Sequence, residues 1–186
     1  FLTLLSKKVT LSATIRLHQI KYIKQTGVPP VAYGALMLYN VGDLKNFEEN
    51  SILNTNIVSQ YINKESTYPL ILDIALPLFS QVVVKNKEGK IKLINHVFSD
   101  DFEKDTLHFQ KKTATVYKVK EKILYKGHYL YKGFTVKLEK SDVNEVLKSL
   151  ALVKNSNLDT RNTLLYHLDE ITLKQFNIKE LLEKIK

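Results

Sequence analysis

Four short apolar runs constrain the fold of this chain more than any other feature. They are "SATIRL" at 12–17, "ALMLY" at 35–39, "LILDIAL" at 70–76 and "TLLYHL" at 163–168. Each has the length and the β-branched or leucine-rich content of a strand. Near-continuous apolar runs are what parallel strands need when other elements cover them. Helical patterns stand between the runs, so the order of elements is α/β in character. Four such strands cannot close a barrel. A (β/α)8 TIM barrel takes about 250 residues, so this chain of 186 residues reads as about half of one.

The connecting segments fit that reading. "TGVPP" is a loop, because paired prolines remove backbone donors and restrict the residue before them. Asn54 or Thr55 can cap a short helix whose face is Ile57, Val58, Tyr61 and Ile62. "QVVVKNKEGKIKLI" reads as a hairpin turning at Asn86 to Gly89, and 109–140 as two or three further extended stretches. Residues 80–140 are therefore a β-rich excursion from a single domain spanning 1–186. Ser141 or Asp142 caps a helix with Val143, Val146, Leu147 and Leu150 on one stripe. The last residues form amphipathic helix with a break at Asn177. "FLTLLSKK" lacks an initiator Met and spaces Phe1, Leu4 and Leu5 as a helix does, so the amino-terminal end reads as truncated or processed.

Composition removes several function classes. With no cysteine there is neither a disulfide framework nor a thiolate metal site. No Gly-rich phosphate loop, nucleophile elbow or His-x-x-x-His pattern occurs, so no cofactor and no metal are expected. No apolar run approaches the roughly 20 residues of a membrane span. The net charge of +9 comes from 26 Lys and two Arg against 19 acids, and the lysines are spread along the chain. The densest region, 103–140, holds ten Lys against four acids and interleaves Tyr117, Tyr125, Tyr129, Tyr131 and Phe134 with lysine. That suits a single-strand nucleic-acid platform. It equally suits a twisted ribbon whose edges lysine protects, and the ribbon is the favoured reading.

In a barrel each strand turns one face to the helices and the other to the axis, with the chemistry at the carboxyl ends. In the first run Leu11, Ala13, Ile15 and Leu17 alternate with Arg16 and His18, which would rise toward the interior. In the third, Leu70, Leu72, Ile74 and Leu76 leave Asp73 on the inner face. In the fourth, His167 and Asp169 share a parity at the carboxyl end, and in the second either Tyr39 or Asn40 faces in. A singly buried ion would cost several kcal/mol, so paired groups are expected, for instance Arg16 with Asp73. Arginine at 16, one of only two in a chain that uses lysine everywhere else, suits a planar fork gripping a carboxylate. The alternatives are structural: an ion pair for Arg16 and Asp73, a helix cap for Asp169, a solvated loop for His18 and a core position for Tyr39.

"ALMLYNVGD" resembles the sixth-strand motif of chitinase-like family 18 glycoside hydrolases, in which Met-x-Tyr-Asp ends a barrel strand. The series "LSATIRLHQIKY", "TGVPP", "LMLYNVGD", "YPLILDIALPLFS" and "LLYHLD" is similar to uncharacterised bacterial proteins, often lipoproteins, thought to share that barrel. The resemblance implies the C-terminal half of the barrel, an N-terminal half as its partner, a glycan ligand, and a place in the cell envelope or outside the cell. Tyr39 matches the motif tyrosine, while Asn40 stands where chitinases have Asp. An amide can hydrogen-bond a sugar but supplies no charge. The family's acid motif, Asp-x-x-Asp-x-Asp-x-Glu, is not in this chain, so the catalytic residues are unknown. The chain also lacks the family's Trp platform, and Tyr166 and His167 stand near its place. The expected ligand set is Arg16, His18, Tyr39, Asn40, Asp73, His167 and Asp169. A non-catalytic scaffold of the same fold and a nucleic-acid binder using 103–140 are the alternatives.

Overall fold

Alternation of side chains decides the first strand: Ser12, Thr14 and Arg16 are exposed, while Ile15 between them is fully buried. The computed structural model describes residues 9–97, 99–167 and 170–185. In chain order its elements begin with β1 (Ser12–Arg16), α1 (Leu17–Lys21), α2 (Ile23–Thr26), β2 (Tyr33–Met37), α3 (Thr55–Ser59) and β3 (Leu72–Pro77). Then come β4 (Ser80–Lys85), β5 (Ile91–Asn95), α4 (Asp100–Glu103), β6 (Phe109–Lys111), β7 (Val116–Val119), β8 (Ile123–Tyr125), β9 (His128–Leu130) and β10 (Thr135–Lys140). The chain closes with α5 (Val143–Lys154), β11 (Thr160–Tyr166), α6 (Glu170–Gln175) and α7 (Ile178–Ile185).

The four apolar runs form one sheet in the order β1-β2-β3-β11, every pair parallel. Leu36, Leu72, Ile74 and Leu76 share its covered face with Ile15, packing on Val58 of α3, on Val146, Leu150 and Val153 of α5 and on Leu181 of α7. Gly34 is required there. A Cβ on it would lie 2.7 Å from Ile15 Cγ1 and 2.8 Å from Leu72 Cδ2, so its absence lets the two neighbouring strands close their side chains over β2. Asp142 caps α5 by accepting from the Glu145 N–H, and Glu145 in turn accepts from the Thr55 N–H, tying α5 to the start of α3. The opposite face of the sheet is only partly covered, with Leu164 and Tyr166 of β11 at 42% and 45% exposure.

The excursion is a sheet of its own, antiparallel in the order β5-β4-β10-β7-β6, beside the β8–β9 hairpin. The expected hairpin at Asn86 to Gly89 is β4–β5, with the Asn86 side chain accepting from the Lys90 N–H and Gly89 at φ 79°. Residues 109–140 hold more extended segments than the two or three expected, because short strands of three or four residues carry too little alternation to be counted. Val82, Val84, Ile94, Phe102, Phe109, Tyr117, Leu130 and Val136 form a second core there.

One element departs from expectation at a position that matters. The first strand stops at Arg16, and the Gln19 side chain accepts the Arg16 N–H at 2.8 Å, starting α1. His18 therefore leaves the strand's alternation and lies on a helix.

Candidate functional site

Asp73 lies on the partly open face of the parallel sheet, as its parity in "LILDIAL" requires, and is 5% exposed. Its partner is not Arg16. Arg16 is in register with Met37, and Met37 with Ala75, so Arg16 stands two residues further along and two strands away. That is roughly 7 Å along the strands and 10 Å across them. Arg161 takes the place instead, with Nε 2.8 Å from Asp73 Oδ1 and Nη2 2.9 Å from Oδ2, and Asn162 Nδ2 adds a bond of 2.9 Å to Oδ1. The cause is a bulge in β11. Thr160 pairs with Leu72 and Thr163 with Ile74, which sets both Arg161 and Asn162 opposite Asp73. The guanidinium carbon also lies 3.7 Å from the centre of the Tyr33 ring on β2. The Arg161 bonds hold the Asp73 carboxyl below the usual carboxylate range, outweighing the upward push of burial.

The bulge also resolves the parity of the fourth run. Leu165 packs toward the core while Leu164 and Tyr166 point to the open face, the reverse of the expected phase. Tyr39 occupies the same face, and its ring stacks on Tyr166 at 4.7 Å and 6° across the end of β3. Phe79 meets both rings edge-on. Burial and the neighbouring Tyr166 push the Tyr39 hydroxyl above its ordinary value.

Two cavities open at the carboxyl ends of the strands, on either side of this aromatic stack. One, of about 210 Å³, is lined by Arg16, Leu17, His18, Met37, Tyr39, Asn40, Val41 and Tyr61. The other, of about 370 Å³, lies against the antiparallel sheet, with Asn40, Ser51, Phe79, Gln81, Asn95, Tyr166 and His167 among its lining residues. Asn40 belongs to both and has φ 53°, a left-handed backbone that asparagine tolerates better than most side chains. Of the residues singled out from sequence, Arg16, His18, Tyr39 and Asn40 come together, and His167 joins Asn40 in the second cavity. Asp73 does not converge with them, since it stands four residues before Pro77, about 13 Å down the strand. Asp169 lies outside the described residues.

Behind the second cavity is a buried charge network that the sequence did not announce. Glu139 accepts from Ser51 N at 2.7 Å, Ser51 Oγ at 2.6 Å and Gln81 Nε2 at 2.8 Å, and pairs with Lys137 Nζ at 2.6 Å. Lys137 also donates to the carbonyls of Asn46 and Glu49. Burial pushes the Glu139 carboxyl up, but the bonds from Lys137, Ser51 and Gln81 prevail and leave it below its ordinary value. The network fixes Gln81 and Ser51 in the cavity wall. A Lys and a Glu two apart in a strand usually signal a solvated face, so only the loop 41–53 folding over them reveals the difference.

Several lysines of 103–140 are matched to acids: Lys104 to Asp100, Lys111 to Glu103, Lys126 to Asp101 and Lys132 to Glu121. Lys122 lies 4.7 Å from the Tyr129 ring centre and 5.5 Å from that of Tyr131. This is a dispersed surface with local pairing. Among the described residues no group of acids, histidines or cysteines is arranged to hold a metal ion, and no helix is long and apolar enough to cross a membrane.

No family model and no curated protein matches the chain. Among solved structures it is similar to a class V chitinase from Nicotiana tobaccum, at 10% identity and TM-score 0.42, over 98% of this chain and 57% of that one. It is similar to the spore cortex-lytic enzyme SleL of Bacillus megaterium at 12% identity and TM-score 0.42, over 98% and 43% of the two chains. A chitinase from Chromobacterium violaceum aligns at 12% identity and TM-score 0.42, over 96% and 57%. The chain spans about half the length of these proteins. Likenesses this distant fix neither its fold nor its activity.

Proposed function

We propose that this chain is the C-terminal half of a (β/α)8 barrel that binds carbohydrate across the carboxyl ends of β1, β2, β3 and β11. The observation that carries the reading is the pair of cavities that share Asn40 and flank the stacked Tyr39 and Tyr166. Aromatic rings offer apolar faces to sugar rings, while Asn40, Gln81, Ser51 and Asn95 offer hydrogen-bonding groups to hydroxyls. The motif resemblance at 35–43 supports the same role for Tyr39 and Asn40.

The sheet supports the barrel part of the reading. A parallel sheet is ordinarily covered on both faces, yet Leu164 and Tyr166 stand largely exposed on the second, and β1 and β11 are its edges. Further parallel strands would cover both. Asp73, clamped by Arg161 and Asn162, would then lie inside the completed barrel and hold the inner wall of β11 against β3.

The chain binds and orients; the groups that could break a glycosidic bond are not assigned in it. Hydrolysis usually needs two carboxyl groups flanking the scissile bond, and Asp73 is committed to Arg161 and Asn162 far below the mouth. The reading is tested by screening the protein against a glycan array, with Tyr39→Ala and Tyr166→Ala as variants. Binding that weakens about tenfold or more in each is expected. Binding indifferent to both substitutions, or none at all, refutes it.

A further inference from the structure

We infer that the cavity between β1 and β2 takes an acidic sugar, with Arg16 receiving its carboxylate. This rests on the carbohydrate reading and narrows it to a substrate class.

The argument begins with how the chain uses arginine. It has two, against 26 lysines. Arg161 shows what the side chain does here that lysine cannot: its planar fork meets both oxygens of Asp73. Arg16 carries the same fork and leaves it open. Among the described residues its side chain donates to nothing, while its backbone is held by Gln19 at the turn from β1 into α1. The group is thus anchored at its root and unoccupied at its tip.

The cavity around it is positive. Among the described residues, His18 and Asn40 are its other polar lining residues apart from the tyrosines, and no carboxylate lines it. Lys21 adds charge at the rim, where its Nζ lies 5.6 Å from the ring centre of Tyr61 and donates to the carbonyl of Gln60. Leu17, Met37, Val41, Tyr39 and Tyr61 supply apolar walls, which strengthen the field of a fixed cation over that in open water. A neutral sugar would leave the guanidinium to water. A hexuronic acid presents a planar carboxylate for bidentate contact and a ring face for Tyr39.

The test uses oligomers of hyaluronan, polygalacturonate and alginate, each as the native uronic acid and as its carboxyl-reduced alcohol, with affinities measured by calorimetry. For a backbone that binds, the acid form is expected to bind roughly tenfold tighter than its reduced partner. Arg16→Gln should abolish that preference while sparing affinity for the reduced form, and Arg16→Lys should restore only part of it. Among the described residues Arg16 has no side-chain partner to lose, so both variants should keep the urea midpoint of the parent, which checks their folding. Equal affinity for the two forms, or a preference that survives Arg16→Gln, overturns the inference alone. Failure of every form to bind a protein that still binds on the glycan array overturns the inference alone, and failure on both overturns the carbohydrate reading with it.

Discussion

Replacing Asp73 with asparagine isolates the charge of the clamp from its shape. The carboxylate accepts three bonds, two from Arg161 and one from Asn162. A hydrogen bond to a charged group contributes about 1.5–3 kcal/mol. The three do not add, because the Arg161 side chain is 40% exposed and water takes over part of what the carboxylate releases. The amide can still accept from Asn162. The expected loss on removing the Asp73 charge is therefore about 2 kcal/mol at neutral pH, close to a 1 M fall in the urea midpoint for an m-value of about 2 kcal/mol/M. The pH dependence fixes the cause. In the folded protein the Asp73 carboxyl titrates below its ordinary value. Its contribution is complete above the unfolded value of about 3.9 and disappears as the pH falls through the depressed folded one. Midpoints of parent and variant should thus differ at neutral pH and draw together at an acidic pH below about 3.9. A gap that is the same at both pH values would show that the charge of Asp73 is not what holds β11 to β3.

Glu139→Gln should cost more, about 3–5 kcal/mol, since it strands the buried ammonium of Lys137. Adding Lys137→Met should recover a large part, read from thermal unfolding of the single and double variants. Gly34→Ala should destabilise by about 1–3 kcal/mol through its approach to Ile15 and Leu72, seen as a lower urea midpoint with an unchanged m-value. A double-mutant cycle of Tyr39→Leu and Tyr166→Leu should give a coupling of about 0.5–1.5 kcal/mol, and zero coupling would mean the rings do not stack in solution. In a spectrophotometric titration Tyr39, Tyr68, Tyr117 and Tyr125 should ionise above the ordinary tyrosine range, each because burial disfavours the phenolate.

The sequence alone determined the strands of the parallel sheet and the faces of two of them. Alternation in 11–17 and 70–76 states which side chains avoid water, and Ile15, Leu72, Ile74 and Leu76 are buried accordingly. Its caps at Asn54 and Asp142 were legible to within one residue, as Asn54 or Thr55 and Ser141 or Asp142, since a side chain bonding a backbone N–H two or three residues on is a local event. Tertiary structure alone decided the partner of Asp73 and the wall of the second cavity. A one-residue bulge between Thr160 and Thr163 is invisible in a run of apolar letters, yet it inverts the parity of the strand and puts Arg161 and Asn162 on one carboxylate. Glu139 and Lys137 read as surface residues until a loop from about 90 positions earlier closes over them. Register and burial at such distances depend on how separate segments meet, and no short window of sequence contains that information.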